Sequence, residues 1–105
     1  MVDLPDSVQR LVRTLGSAAE IETLLLLSRE RHAWTAPGVA RKLRFDVDQA
    51  AAILGRLSRR NLLLSDGGSY RFHPGNPSEA QAVATLAELY PAYRLAVLSF
   101  LYATG

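Results

Sequence analysis

"RKLRFDVDQAAAILGRLSRRN", Arg41 to Asn61, decides the fold. Val47, Ala50, Ala51, Leu54 and Leu57 recur at helical spacing and predict the core-facing stripe of an amphipathic helix. Asp48, Gln49, Ala52, Arg56, Arg59 and Arg60 fall outside that stripe, and Ile53 belongs cleanly to neither side. Asp46 stands where an N-cap is needed, and Gln49 three residues later completes a capping box. Just upstream, "APGVARKLRF" reads as another helix. Thr35 caps its start, and Pro37 fits its first turn, where no backbone donor is required. Val39, Ala40 and Leu43 face inward there, whereas Arg41, Lys42 and Arg44 face out. The stretch is therefore two helices joined by a tight turn.

The flanking segments extend the pattern. "LPDSVQRLVRTLG" is a short amphipathic helix on Val8, Leu11, Val12 and Leu15, stopped by Gly16. In "SAAEIETLLLLSRER", Ser17 and Glu20 form a capping box, and Ile21, Leu24, Leu25 and Leu27 supply a core face. "HAWT" is a short extended piece whose Trp34 packs in the core. Beyond Asn61 the period changes: "LLLSDGGSYRFH" has two apolar-rich runs around Asp66-Gly67-Gly68, a hairpin signal. Ser78 then caps a last helix, in which Pro91 removes a donor and predicts a kink or break near Tyr90.

Bulk properties bound the rest. A chain of 105 residues with 49% apolar and 21% charged residues is expected to fold as one globular domain. The absence of cysteine removes disulfides and thiolate chemistry and fits a reducing compartment. Neither a signal peptide nor a run long enough to span a bilayer is visible, so a cytoplasmic protein without membrane contact is expected. Net charge is +2, unevenly placed: Arg29–Arg60 carries eight basic and three acidic residues, net +5, which leaves −3 for the remainder. A basic middle points to an anionic partner or to a solvated charged face.

The order helix, short strand, helix, turn, helix, two-stranded hairpin over Ser17–His73 resembles the winged helix-turn-helix fold, in particular the small MarR-like bacterial regulators. "TAPGVARKL" resembles the supporting helix of that family, and "DVDQAAAILGRLSRRNLLLSDGGSYRFH" its recognition helix and wing. The resemblance implies a mostly α fold with a small β-hairpin: an N-terminal helix (1–16), a winged core (17–73) and a C-terminal dimerisation helix (78–105). It also implies a DNA-binding transcription regulator that acts as a homodimer on double-stranded DNA. By position, Asp48, Gln49 and Ala52 would face base edges, and Arg56, Arg59 and Arg60 would lie toward phosphates. Arg44, with Arg41 and Lys42 as steering charges, and Arg71 on the second hairpin strand complete the expected DNA-binding set.

Several features qualify that reading. Asp46 needs no role beyond capping, and Asp48 favours the positive end of the helix dipole. The hairpin tip, Asp66-Gly67-Gly68-Ser69, holds no arginine. His32 and His73 lack ligand-type neighbours, so neither a metal site nor a cofactor is implied. No nucleophile–base set or Gly-rich phosphate loop is recognisable, and an enzyme is not expected. The last helix is apolar around most of its circumference beyond Pro91, a pattern of burial. Leu86, Leu89, Tyr90, Tyr93, Val97, Leu98 and Leu101 are its expected dimerisation residues. The rival reading is a protein-interaction module that docks a partner through this helix. A small-ligand sensor, with its pocket between the core and the terminal helices, is a third.

Overall fold

The computed structural model describes residues 4–103. Among the described residues, five helices and three short strands follow one another as α1 (Asp6–Leu15), α2 (Ala18–Arg29), β1 (Trp34–Thr35), α3 (Ala36–Leu43), α4 (Val47–Arg59), β2 (Leu63–Asp66), β3 (Ser69–Phe72) and α5 (Pro77–Ala103). The chain is thus mostly helical with a small antiparallel sheet of order β1-β3-β2.

Local chemistry explains the element boundaries. Ser17 Oγ accepts from the Glu20 N–H, Thr35 Oγ1 from the Gly38 N–H and Asp46 Oδ2 from the Asp48 N–H. Each satisfies a donor that the first helical turn leaves open. Helix α1 ends at Gly16 in the left-handed region. Helix α3 ends two residues before its expected limit, because Arg44 adopts φ 62° and returns the Phe45 N–H to the Ala40 carbonyl. Asn76, not Ser78, caps α5: its Oδ1 accepts from the Glu79 N–H and its Nδ2 donates to Glu79 Oε1. Pro77 and Ser78 fall inside the first turn.

The hairpin forms as expected. Gly67 and Gly68 both have positive φ, the geometry of a two-residue turn that matches strand twist. Leu63 pairs with Phe72 and Asp66 with Ser69. The extended piece at Trp34-Thr35 joins the outer side of β3 as a third strand, with Trp34 opposite Tyr70.

One contiguous core runs from Leu4 to Val97 and draws on every helix. Val8, Leu11, Val12 and Leu15 of α1 meet α5, and Ile21 and Leu24–Leu27 of α2 occupy the centre. Trp34 is buried, with Nε1 donating to the Glu30 carbonyl. In α4 the buried face is Ala50, Ile53, Leu54 and Leu57, whereas Ala51 is exposed and Val47 is 46% exposed. The inward stripe is therefore rotated from its expected position, with Ile53 in it and Val47 and Ala51 out of it.

Helix α5 continues through Pro91 and breaks at Tyr93 (φ −123°, ψ 31°). Tyr90 before the break and Arg94 after it both donate to Glu22 Oε2 of α2, at 3.0 and 3.3 Å, which fixes the bend against α2. Burial, then the Glu22 carboxylate, hold the Tyr90 phenol above its ordinary value, against the opposing pull of Arg94. Among the described residues, no helix is long and apolar enough to cross a membrane.

Candidate nucleic-acid interface

The outer face of α4 carries polar side chains at its leading end, alanines in its middle and a cation near its close. With Ala50, Ile53, Leu54 and Leu57 turned inward, Asp48, Gln49, Ala51, Ala52 and Arg59 are exposed. Arg59 lies back along Gly55, where an added Cβ would meet its Nη1 at 3.5 Å. Between Gln49 and Gly55 the exposed residues of the helix are Ala51 and Ala52.

Helix α3 packs mainly on α4 and delivers a concentration of positive charge beside it. Arg41, Lys42 and Arg44 line one open groove with Trp34 and Gly38, about 450 Å³ in volume. All three cations are exposed. Lys42 lies 3.8 Å from Glu30, but both side chains are half exposed, and such a pair contributes little. The Arg44 backbone is in the left-handed region, a helix C-cap usually given to glycine. An arginine there adopts a strained backbone while presenting its charge at the turn into α4.

The expected set divides in the structure. Arg41, Lys42 and Arg44 come together, with Asp48, Gln49 and Arg59 along the adjoining helix. Arg56 does not join them: its Nε donates to Glu20 Oε1 at 2.5 Å. The Glu20 side chain is 8% exposed and Arg56 43%, so this arginine ties α2 to α4 through its Nε, away from the cations of α3. Glu20 in turn does not close the expected capping box. Arg60 points elsewhere too, lining a separate cavity with Arg10 of α1 and Glu79 of α5. Arg71 is exposed on β3 opposite Leu64, in a shallow cavity with Asp66 and Ser69. Trp34 and Gly38 were not foreseen as groove residues, since only their place beside the end of α3 reveals them.

The expected dimerisation set also divides. Leu86, Tyr90 and Val97 are already buried within the chain, which corrects their assignment to an outer surface. Leu89, Leu98 and Leu101 are half buried. What faces solvent is Tyr93, 42% exposed, and Leu95, 77% exposed, an apolar residue not in the expected set. Among the described residues there is no group of three His, Cys, Asp or Glu able to hold a metal ion.

No family model, curated protein or solved structure matches this chain.

Proposed function

We propose that this chain is a winged-helix transcription regulator of the MarR-like bacterial kind, which binds double-stranded DNA as a homodimer in the cytoplasm. In this reading α3 and α4 are the helix-turn-helix, α4 enters the major groove and the β2–β3 hairpin is the wing. The observation that carries it is the groove of Arg41, Lys42 and Arg44 beside the exposed, sterically low face of α4. Phosphates supply most non-specific affinity for DNA, and three converging cations are suited to them. The small side chains at Ala51 and Ala52 allow α4 to approach base edges closely.

The candidate phosphate set is Arg41, Lys42, Arg44, Arg59 and Arg71. Three contacts per copy give about six in a dimer, and the logarithm of affinity then falls with log salt at a slope of about −5. The test is fluorescence anisotropy on a mixed-sequence duplex at about 50 and 200 mM salt. A dimer should lose roughly 10³ in affinity over that interval, and a monomer with three contacts roughly 40-fold. No binding at the lower salt rejects the proposal.

A second reading, a protein-interaction module, is favoured by Tyr93 and Leu95 on the arm beyond the α5 break. Both readings use this arm, one for a second copy and the other for a different protein. Sedimentation of the isolated chain separates them: a dimer supports the regulator, and a monomer that also fails to bind duplex supports the module.

A further inference from the structure

At the leading end of α4, Asp46 caps the helix and Asp48 favours its dipole, but Val47 between them does neither. The Val47 side chain is 46% exposed, so it adds little to the core, and a β-branched residue is among the poorer helix formers. Ala51 follows one turn later and is also exposed, which makes the two side chains neighbours along one strip. At 3.6 residues per turn, the open face runs in the order Val47, Ala51, Asp48, Ala52 and Gln49. An apolar edge therefore lies on one side of Asp48 and an amide on the other. The exposed cations Arg41, Lys42 and Arg44 come just before this strip in the chain. Apolar groups beside open cations suit a surface that is anionic at its rim and apolar at isolated points within. The major groove of a duplex is such a surface, and its apolar points are the 5-methyl groups of thymine.

We propose that Val47 and Ala51 are specificity-determining residues that read the thymine 5-methyl group, an inference that rests on the reading of α4 as the helix in the major groove. The Val47 isopropyl group, half exposed in the free chain, loses water against the methyl, and Ala51 extends the same apolar surface by one turn. Gln49, at the opposite edge of the open face, suits the N6 and N7 atoms of adenine. Both edges of α4 thus favour the same type of base pair. Charge has no part in this discrimination. A duplex with uracil in place of thymine carries the same phosphates, so the cations of α3 meet both alike. Burial of one methyl is worth about fourfold in affinity, and one methyl per half-site about fifteenfold in a dimer.

The test is fluorescence anisotropy on two synthetic duplexes of equal length, alternating dA·dT and alternating dA·dU, which differ in the methyl alone. The expected result is tighter binding of dA·dT, by about fourfold to fifteenfold, with the same salt slope on both. Val47→Ser combined with Ala51→Ser should bring the two affinities together. The same double variant should leave the affinity for dA·dU and the salt slope unchanged, since both positions are exposed and neither carries charge. Val47→Ile, which keeps the apolar edge, should retain the preference. Equal affinity of the parent for the two duplexes overturns the proposal, and so does a preference that survives the double variant. Either result leaves the DNA-binding reading standing, because both duplexes are still bound. Binding to neither duplex removes that reading and this inference with it.

Discussion

Replacing Arg56 with alanine is expected to lower stability and leave DNA affinity nearly unchanged, the opposite of what its place on α4 suggests. The Glu20 carboxylate is almost fully covered, and Arg56 Nε is its hydrogen-bond partner. Removing the arginine leaves a buried carboxylate without compensation. A fully buried pair broken in this way costs about 3–5 kcal/mol, and a hydrogen bond to a charged group contributes about 1.5–3 kcal/mol. Arg56 is 43% exposed, so water screens one side of the pair and the lower figures apply, about 2 kcal/mol. An unfolding entropy of about 2.1 cal/mol/K per residue over 105 residues converts this into a fall in Tm of about 9 °C. Glu20→Gln should cost less, about 1 kcal/mol, because Arg56 can rehydrate and the amide keeps an acceptor in place. Calorimetry supplies Tm, and anisotropy at a temperature where both proteins are folded supplies affinity. A variant whose Tm stays within about 2 °C of the parent, but whose affinity falls tenfold, would return Arg56 to the interface and refute this assignment.

Arg44→Gly should raise stability by about 0.5–1 kcal/mol, because glycine relieves the left-handed C-cap, while it weakens DNA binding; thermal melts and anisotropy on one preparation check both signs. Leu95→Glu should convert a dimer to a monomer by sedimentation while circular dichroism shows an unchanged fold, since this side chain is 77% exposed within one chain. The raised Tyr90 phenol means that the unfolded state ionises first, near pH 10, so its contribution to stability is complete below that pH and is lost as pH rises through the higher folded value. Tyr90→Phe should flatten that alkaline loss in melts followed between about pH 8 and 11.5. Gln49→Ala should alter the ranking of duplex sequences by about 1–3 kcal/mol at one position and leave the salt slope unchanged, read from competition anisotropy.

What was legible in the sequence is what neighbours in sequence decide. The caps at Ser17, Thr35 and Asp46, the glycine turn at Gly67-Gly68 and the order of helices and strands all rest on contacts within a few residues. Ile53 shows how a small misreading propagates. Ala50, Ile53, Leu54 and Leu57 are spaced i, i+3, i+4, i+7, and choosing Val47 and Ala51 instead rotates the helix face. That rotation decides whether Arg56 lies over solvent or against Glu20. The Glu20–Arg56 pair spans 36 positions, and no periodicity within either helix announces it. That Arg10 of α1 and Arg60 at the end of α4 line one cavity is likewise beyond what either helix's own pattern announces. Helix α5 was legible as apolar and interrupted, but not in how its residues divide. Leu86, Tyr90 and Val97 turn into the chain, whereas Leu95 turns away, because Glu22 anchors both sides of the break.

The acid at the leading end of α4 limits what this helix can read. Asp46 is occupied as a cap, and Asp48 favours the helix dipole, so both carboxylates have structural reasons to be present. Their charge is offset from outside α4, by Arg44 only two residues before Asp46 and by Arg41 and Lys42 in the same groove. Affinity and selectivity are thereby divided between two helices. In the proposed reading the cations on α3 contact phosphates, which carry no sequence information. On α4, Ala51, Ala52 and Gly55 offer no hydrogen-bonding side chain, and Arg59 lies back over Gly55. In the proposed reading hydrogen-bonded base recognition is left to Asp48, suited to a cytosine amine, and Gln49, suited to adenine. Each such contact is worth about 1–3 kcal/mol, so a dimer with one good contact per half-site gains about 2–6 kcal/mol over non-specific duplex, at or below the lower part of the usual range of about 4–10 kcal/mol. If the chain is the proposed regulator, it distinguishes its sites modestly, holds DNA chiefly by charge, and responds steeply to anything that competes for the arginines of α3 and α4.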